Sequence, residues 1–571
     1  MSAVPDYVIV GAGSAGCVLA DRLSADGTAT VLLVEAGGPD RKAEISIPAA
    51  YPKLFGTAFD WAFETTAQPG LAGRRISWPR GRALGGSSSL NAQIWTRCHR
   101  ADYDGWDLDG WRFADVLPYF RQAEHFLQAE HFRQAAHLLR AELGPAETPE
   151  LGYGDAGPVL VSDLVDPSPA TAAFLRACAE AGLPELGPSE AFDPDGYGQV
   201  RVTQRNGRRW SAADAYLRPA LGRPNLTVLT GAQLARVLLQ DGTATGVELL
   251  VDGEPRRVRA GREVLLCAGA IGSPHALLLS GIGPAAELRA HGVPVLVDSP
   301  EVGRNLADHL YAPVSVAARQ DVSPGVGDSR AEATQYLSTR RGRLTSNLAE
   351  ALAFVRTEPG LAGPDVELLW MVVPQLSAVA AGHGLTLATV LLQPASRGAI
   401  TLGSPDPLAA PVIDAGYLTD PADLRTLTRG VRLAQRILTR PALAEWVGEP
   451  LSDGALAPDE ATIAQLCRTQ AQTLYHPVGT CRMGADSDAV LDPQLRVRGV
   501  RGLRVVDASA LPRIPRGHTQ APTVMLAERA ATLIKQAVSG SAPPARSRPS
   551  AQAAPRRSSG ASAEFGATTA G

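Results

Sequence analysis

Cysteine is sparse in this chain and poorly spaced for chemistry. Cys17, Cys98, Cys178, Cys267, Cys467 and Cys481 are scattered over 571 residues, with no C-x-x-C pair. That scatter argues against a disulfide framework and against a cysteine zinc site, and it suits a reducing, cytoplasmic compartment. An excess of charge is missing too. Lys plus Arg is 54 against 58 for Asp plus Glu, a net charge of −4. Such a balance leaves no footprint for nucleic acid or an anionic membrane. No targeting leader is expected, because only Met1 to Pro5 precede the first apolar strand, and a charged n-region with an apolar h-region needs more room.

Unbroken apolar runs are also lacking. Val264 to Ala286 and Leu368 to Ser396 carry no Asp, Glu, Lys or Arg, but Gly269, Gly272, Pro274, Gly281 and Gly283 interrupt the first and Pro374, Gly382 and Gly384 the second. Each predicts buried strand, turn and further secondary structure, and not a membrane span. No metal site is expected. The near-duplicate AEHFLQ and AEHFRQ set His125, His131 and His137 at a spacing of six. On one helix their rings would point about 120° apart and could not converge on one ion. A surface helix is the expectation for this stretch, Ala123 to Gln134.

The N-terminus reads as a βαβ unit. Asp6 to Val10 is a short apolar strand, Gly11 to Gly16 a glycine turn, Ala15 to Ser24 a helix, and Thr30 to Val34 a second strand ending at Glu35. Later strands are expected at Leu226 to Leu229, Val264 to Cys267 and Leu503 to Val506. Helices are expected at Ala170 to Ala181, Asp423 to Leu438 and Ala521 to Ala537. Strands and helices mixed in this way predict an α/β fold with an added α+β portion, and the length predicts two intimately packed domains. From about Ser539 the chain turns to Ala, Pro, Ser, Gly and Arg, which predicts a disordered tail.

In VIVGAGSAGCVLADRL, Gly11 permits the sharp turn, Gly13 lets a pyrophosphate approach the backbone, and Gly16 lets the helix pack on the sheet. The helix N-terminus offers free N–H groups and a positive dipole end. Glu35 is placed to accept hydrogen bonds from ribose hydroxyls. The turn alone does not separate FAD from NAD.

Four further segments decide between them. GRALGGSSSLNAQIW (81–95), GAIGSPHALLLSGIG (269–283), HPVGTCRMG (476–484) and GLRVVDASALPRIPRGHTQAPTVMLAERAATLI (502–534) together resemble the glucose-methanol-choline oxidoreductases. SRGAITLGSPDP and PVIDAGYLTDPADLRTLTRGVRLAQRIL add to the likeness, which runs in order from residue 5 to about 537. It implies a Rossmann-type FAD-binding domain assembled from separate segments, with an α+β substrate-binding domain built on a sheet. The expected division is 1–310 mainly FAD-binding, 311–464 mainly substrate-binding, 465–537 returning to the FAD domain, and 538–571 tail. GGSSS suits phosphate and flavin contact through close backbone approach and hydroxyl donors. The expected cofactor contacts are Gly11, Gly13, Ser14, Gly16, Glu35, Ala36, Arg82, Leu84, Gly86, Ser87, Asn91, Leu234, Asp507, Ala508, Thr519 and Gln520. Some members attach FAD through a histidine just before the Asn of this loop. Leu90 stands there, so FAD is expected to be non-covalent.

The likeness implies FAD-dependent oxidation of the CH–OH group of an alcohol, with hydride passing to flavin N5. The matching catalytic positions are His476, as base, and His518, as hydrogen-bond partner of the alcohol oxygen, with shared or reversed roles as the alternative. His99, His275, His291, His309 and His383 are expected to be structural. A nicotinamide-dependent dehydrogenase would not need the segment around Asp507. A hydroxynitrile lyase using FAD only structurally is the alternative on the same fold, and both histidines speak against a non-catalytic flavin carrier. Neutral primary or aromatic alcohols are the expected substrates, with oxygen or another electron acceptor. Trp61, Trp370 and Glu350 are the candidates for a cage around a quaternary ammonium.

Overall fold

The computed structural model describes residues 4–127, 152–187, 193–325, 329–374 and 382–540. Two sheets organise them. The first is parallel and five-stranded, in the order Leu226–Leu229, Val31–Val34, Tyr7–Val10, Glu263–Leu266, Leu503–Val505. Its central strands, YVIV and VLLV, are buried along their whole length. A parallel sheet covered on both faces selects such continuous apolar runs. Its edges come from segments far apart in sequence, so the FAD-type domain closes only when residues beyond 500 return to it. The C-terminal helix Gln520–Ser539 then lies on the first helix, Ser14–Ser24. Buried Glu528 fastens the two by taking both Nε and Nη2 of Arg22, at 2.8 and 2.7 Å.

The second sheet is antiparallel. It runs Val447–Pro450, Leu310–Ala318, Gly384–Leu391, Val366–Met371, Ala349–Val355, Gly196–Gln199, with Gln472–Thr473 also on Leu310–Ala318. It therefore recruits one strand from before residue 310 and one from after 464. The helix Pro421–Leu438 covers it. Gly430 permits that approach, since a Cβ there would lie 2.4 Å from Thr389 Cγ2.

The expected strands and helices occur where the sequence places them, with ends moved by one or two residues. The uncharged stretch from Val264 is a strand, the helix Gly269–Leu279 and a short strand. Among the described residues no helix is long and apolar enough to cross a membrane. One expectation fails. Glu124–Phe126 is a strand paired with Val159–Val161, not the start of a surface helix. Glu124 is wholly buried and accepts from Arg97 Nε and Nη2 and from Trp95 Nε1, at 2.9, 2.5 and 3.0 Å. That inward pull ends the preceding helix, Phe113–Ala123. His131, His137 and the tail beyond Gly540 lie outside the described residues. The C-terminal helix itself continues to Ser539, past the expected end at Ala537.

Candidate active site

A cleft runs along the carboxyl ends of the parallel strands, where ligands settle on such sheets. Gly11, Gly13, Ser14, Glu35, Ala36, Gly86, Ser87, Leu234, Asp507, Ala508, Thr519 and Gln520 line it, as expected of a cofactor wall. Gly11 turns at φ +101°, and a Cβ there would stand 2.4 Å from the Cys267 carbonyl oxygen. At Gly13 the nearest atoms to a Cβ are 4.0 Å away, so the cleft is open above it. The helix it begins has no side-chain cap, which leaves its first N–H groups for an anion. Glu35 accepts from the N–H groups of Ala12 and Gly37, at 2.9 and 2.8 Å. Burial outweighs those bonds and pushes its carboxyl up to about 7. These features fit a dinucleotide pyrophosphate and ribose.

Four expected contacts stand elsewhere. Gly16 lies beneath the turn, where a Cβ would come within 1.9 Å of the Gly11 carbonyl oxygen. Arg82 lays its guanidinium 4.9 Å over the Trp61 ring, and it is Trp61 that lines the cleft. Leu84 ties its N–H to Gly38 and packs into the core. Asn91 lines the neighbouring cavity instead. Asp507 does line the cleft, but its oxygens are taken by the N–H groups of Gly269 and Ser509 and the hydroxyls of Ser273 and Ser509. It staples the C-terminal segment to the helix Gly269–Leu279. His275, expected to be structural, sits on the cleft wall with Nε2 buried and unpartnered. Burial holds it neutral, at about 4.

The cavity shares Arg80, Gly81, Ser87, Thr519 and Gln520 with the cleft. Tyr51, Phe55 and Tyr475 form one wall, with successive ring centroids 6.0 and 5.8 Å apart. Leu90, Ile94, Leu369, Met371 and Leu474 complete an apolar lining of about 130 Å³ that contains no carboxylate among the described residues. Leu90, where some relatives would carry a histidine, offers no nucleophile. The two expected catalytic histidines meet here. The His476 and His518 rings are 4.9 Å apart and nearly perpendicular. Trp61, Trp370 and Glu350 do not meet. Trp370 stacks on Phe174 in the core, and Glu350 is buried against Thr171, Ser168 and Ser346.

Each of these two histidines has its own support. The His476 N–H donates to Asp308 at 2.7 Å, and Asp308 also accepts from Thr473 and Tyr417. His476 Nδ1 is 3.0 Å from Nδ1 of His309, whose Nε2 is 3.1 Å from the Leu392 carbonyl oxygen. Burial first, then the cost of adding a positive charge beside His518, His309 and Arg80, drives His476 well below the usual histidine range. His518 Nε2 is 3.0 Å from Glu367 of strand Val366–Met371, a wholly buried carboxylate. His309, expected to be structural, thus touches the His476 ring from behind the cavity wall. Glu367 was missed because it stands alone in an apolar strand. Arg209 was missed as well. Buried, and pushed down to about 9 by that burial, it donates to Oδ1 of Asn91 at 2.7 Å. Gln93 N–H takes the same oxygen, leaving the Asn91 amide N–H groups for the cavity.

Comparison with known proteins points to one family. Family profiles described as GMC oxidoreductase match residues 5–311 and 394–527. A GMC-type oxidoreductase of Mycobacterium tuberculosis is 45% identical over 546 residues, covering 94% of this chain and 100% of that protein. An alcohol dehydrogenase [acceptor] of Pseudomonas putida is 39% identical over 548 residues, covering 93% and 96%. Among solved structures, pyridoxine 4-oxidase from Mesorbium loti superposes with a TM-score of 0.82 at 34% identity, covering 93% of this chain and 99% of that one.

Proposed function

This chain belongs to the GMC oxidoreductase family of FAD-dependent enzymes, and from that premise we propose that it oxidises small neutral primary or aromatic alcohols with His476 as base and His518 as partner of the alcohol oxygen. Bound FAD supplies the hydride acceptor. Gly13 and Ser14 would hold its pyrophosphate, Glu35 a ribose, and Asn91 with the start of the helix Gln520–Ser539 the flavin end. The observation that carries the reading is the pair of histidine rings, 4.9 Å apart, on a cavity that opens onto the dinucleotide cleft.

The environments of the two rings divide the work. His476 is held neutral and so has a lone pair for the hydroxyl proton. His518 is held at Nε2 by the buried Glu367 carboxylate, so its remaining ring nitrogen, Nδ1, faces the oxygen and donates to it when the ring carries a proton on both nitrogens. The carbinol C–H leaves as hydride, the O–H proton goes to His476, and the carbon–oxygen bond becomes a carbonyl. The aromatic, carboxylate-free wall supports a neutral substrate, and a cavity near 150 Å³ accommodates about one benzene ring. The six cysteines are unpaired and buried, which suits a reducing compartment such as the cytoplasm.

An alcohol panel mixed anaerobically with the purified holoenzyme tests the reading. Benzyl-type and short primary alcohols should bleach the flavin, while choline should do so poorly. Parallel turnover with oxygen and with a dye identifies the acceptor. Cleavage of a cyanohydrin without any bleaching by alcohols would replace this reading with a lyase.

A further inference from the structure

We infer that His309 is a positioning residue that fixes which nitrogen of His476 carries the proton, so that Nε2 is the basic atom. The inference rests on His476 being the base. His309 Nε2 lies 3.1 Å from the Leu392 carbonyl oxygen, which can only accept. The ring must therefore donate from Nε2. Burial keeps His309 neutral, at about 3, so its Nδ1 bears a lone pair. That lone pair faces His476 Nδ1 at 3.0 Å. Two lone pairs would repel at this distance, so His476 carries its proton on Nδ1. The tautomer of a histidine is set by the hydrogen bond its other nitrogen makes.

The arrangement is built by two consecutive residues at the head of strand Leu310–Ala318. Asp308 holds the backbone of His476 and His309 holds its ring. A solvated imidazole moves its proton between both nitrogens, and one of the two forms cannot accept from the alcohol at Nε2. Here that form is excluded. When Nε2 takes the alcohol proton, Nδ1–H still donates to His309, and the bond becomes charge-assisted and stronger. His309 thus favours the protonated product of the base step without touching substrate.

The direct test is nitrogen-15 spectroscopy of histidine-labelled holoenzyme at neutral pH, with His476 assigned by its absence in His476→Gln. Nε2 should resonate as an unprotonated nitrogen, and a protonated Nε2 would overturn the inference. Kinetics give a second test. His309→Leu should bind FAD normally and lose about 10- to 100-fold in flavin reduction, with substrate Kd little changed. The loss should be greatest for the least acidic benzyl alcohols, because a weakened base is felt most there. His309→Asn, which keeps an acceptor for Nδ1–H, should recover most of the rate. Equal losses in the Leu and Asn variants, or a Leu variant within about threefold of the parent, would sink the inference. Full activity in His476→Gln would instead overturn the base assignment itself, so the two failures are distinguishable.

Discussion

The dinucleotide cleft and the histidine cavity share a wall, yet the cleft's phosphate turn is made by backbone and the cavity by side chains. At Gly11, Gly13 and Gly16 the cleft depends on the absence of Cβ atoms and on free N–H groups from one local turn. The cavity depends on His309, Glu367, His476 and His518, brought from four separate segments and each tied to a buried partner. A backbone site tolerates exchange of polar side chains and rejects added bulk. A side-chain site should show the reverse, and that contrast can be broken by experiment.

The largest effect is expected in the cleft. Gly13→Val places its Cβ where nothing in the protein lies nearer than 4.0 Å, at an ordinary backbone φ of −77°. The chain should therefore fold with a nearly unchanged apoprotein melting profile, while the branched side chain fills the space meant for the pyrophosphate. The protein should be purified colourless. A yellow Gly13→Val enzyme would show that the cofactor lies elsewhere in the cleft.

Next in size is the base. His476→Ala should keep FAD and lose about 10²–10⁴-fold in anaerobic flavin reduction. Because His476 sits well below the usual histidine range, the parent enzyme should lose no rate to its protonation between about pH 6 and 8. An acid limb near pH 6.5 that vanishes in His476→Ala would mean that the ring is stabilised as a cation, against the assignment.

His518 follows. If it serves as a hydrogen-bond donor, His518→Asn should retain much of the reductive rate, since an amide still donates. His518→Ala leaves the developing alkoxide without a partner, a loss on the order of 2–4 kcal/mol at an oxyanion-type contact. Asn as damaging as Ala would mean that His518 moves a proton, and His476 could no longer be the sole base.

The same contrast explains what was legible in the sequence. The phosphate-binding corner of the cleft is local: strand, glycine turn, helix and Glu35 fall within a few dozen residues, and each glycine has a steric reason that the string itself displays. His476 and His518 were found only through motifs. Their supports were not, because the contact of His309 with His476 spans 167 residues and that of Glu367 with His518 spans 151. Glu124 shows the converse error. A helical pattern continued through it, but a buried ion pair with Arg97 overrode the local preference. Long-range polar partnership is what periodicity does not record.

The smallest effect tests the comparison most sharply. Ser14 begins the dinucleotide helix, lines the cleft and donates its hydroxyl to Gln520 Oε1 at 2.8 Å, joining the two segments that flank the cofactor. The sequence marks it as a cofactor contact. If the cleft works through backbone, Ser14→Ala removes one partly buried neutral hydrogen bond, worth about 0.5–1.5 kcal/mol net. It leaves the helix N–H groups and dipole in place. FAD should stay bound through gel filtration, with affinity weakened about tenfold at most. The rate of flavin reduction should hardly change, because Ser14 lines the cleft and not the catalytic cavity. Fluorescence titration of apoprotein with FAD measures the first quantity, and stopped-flow absorbance the second. If Ser14→Ala sheds its flavin as readily as Gly13→Val, the hydroxyl and not the backbone holds the phosphate, and cleft and cavity would then be the same kind of site.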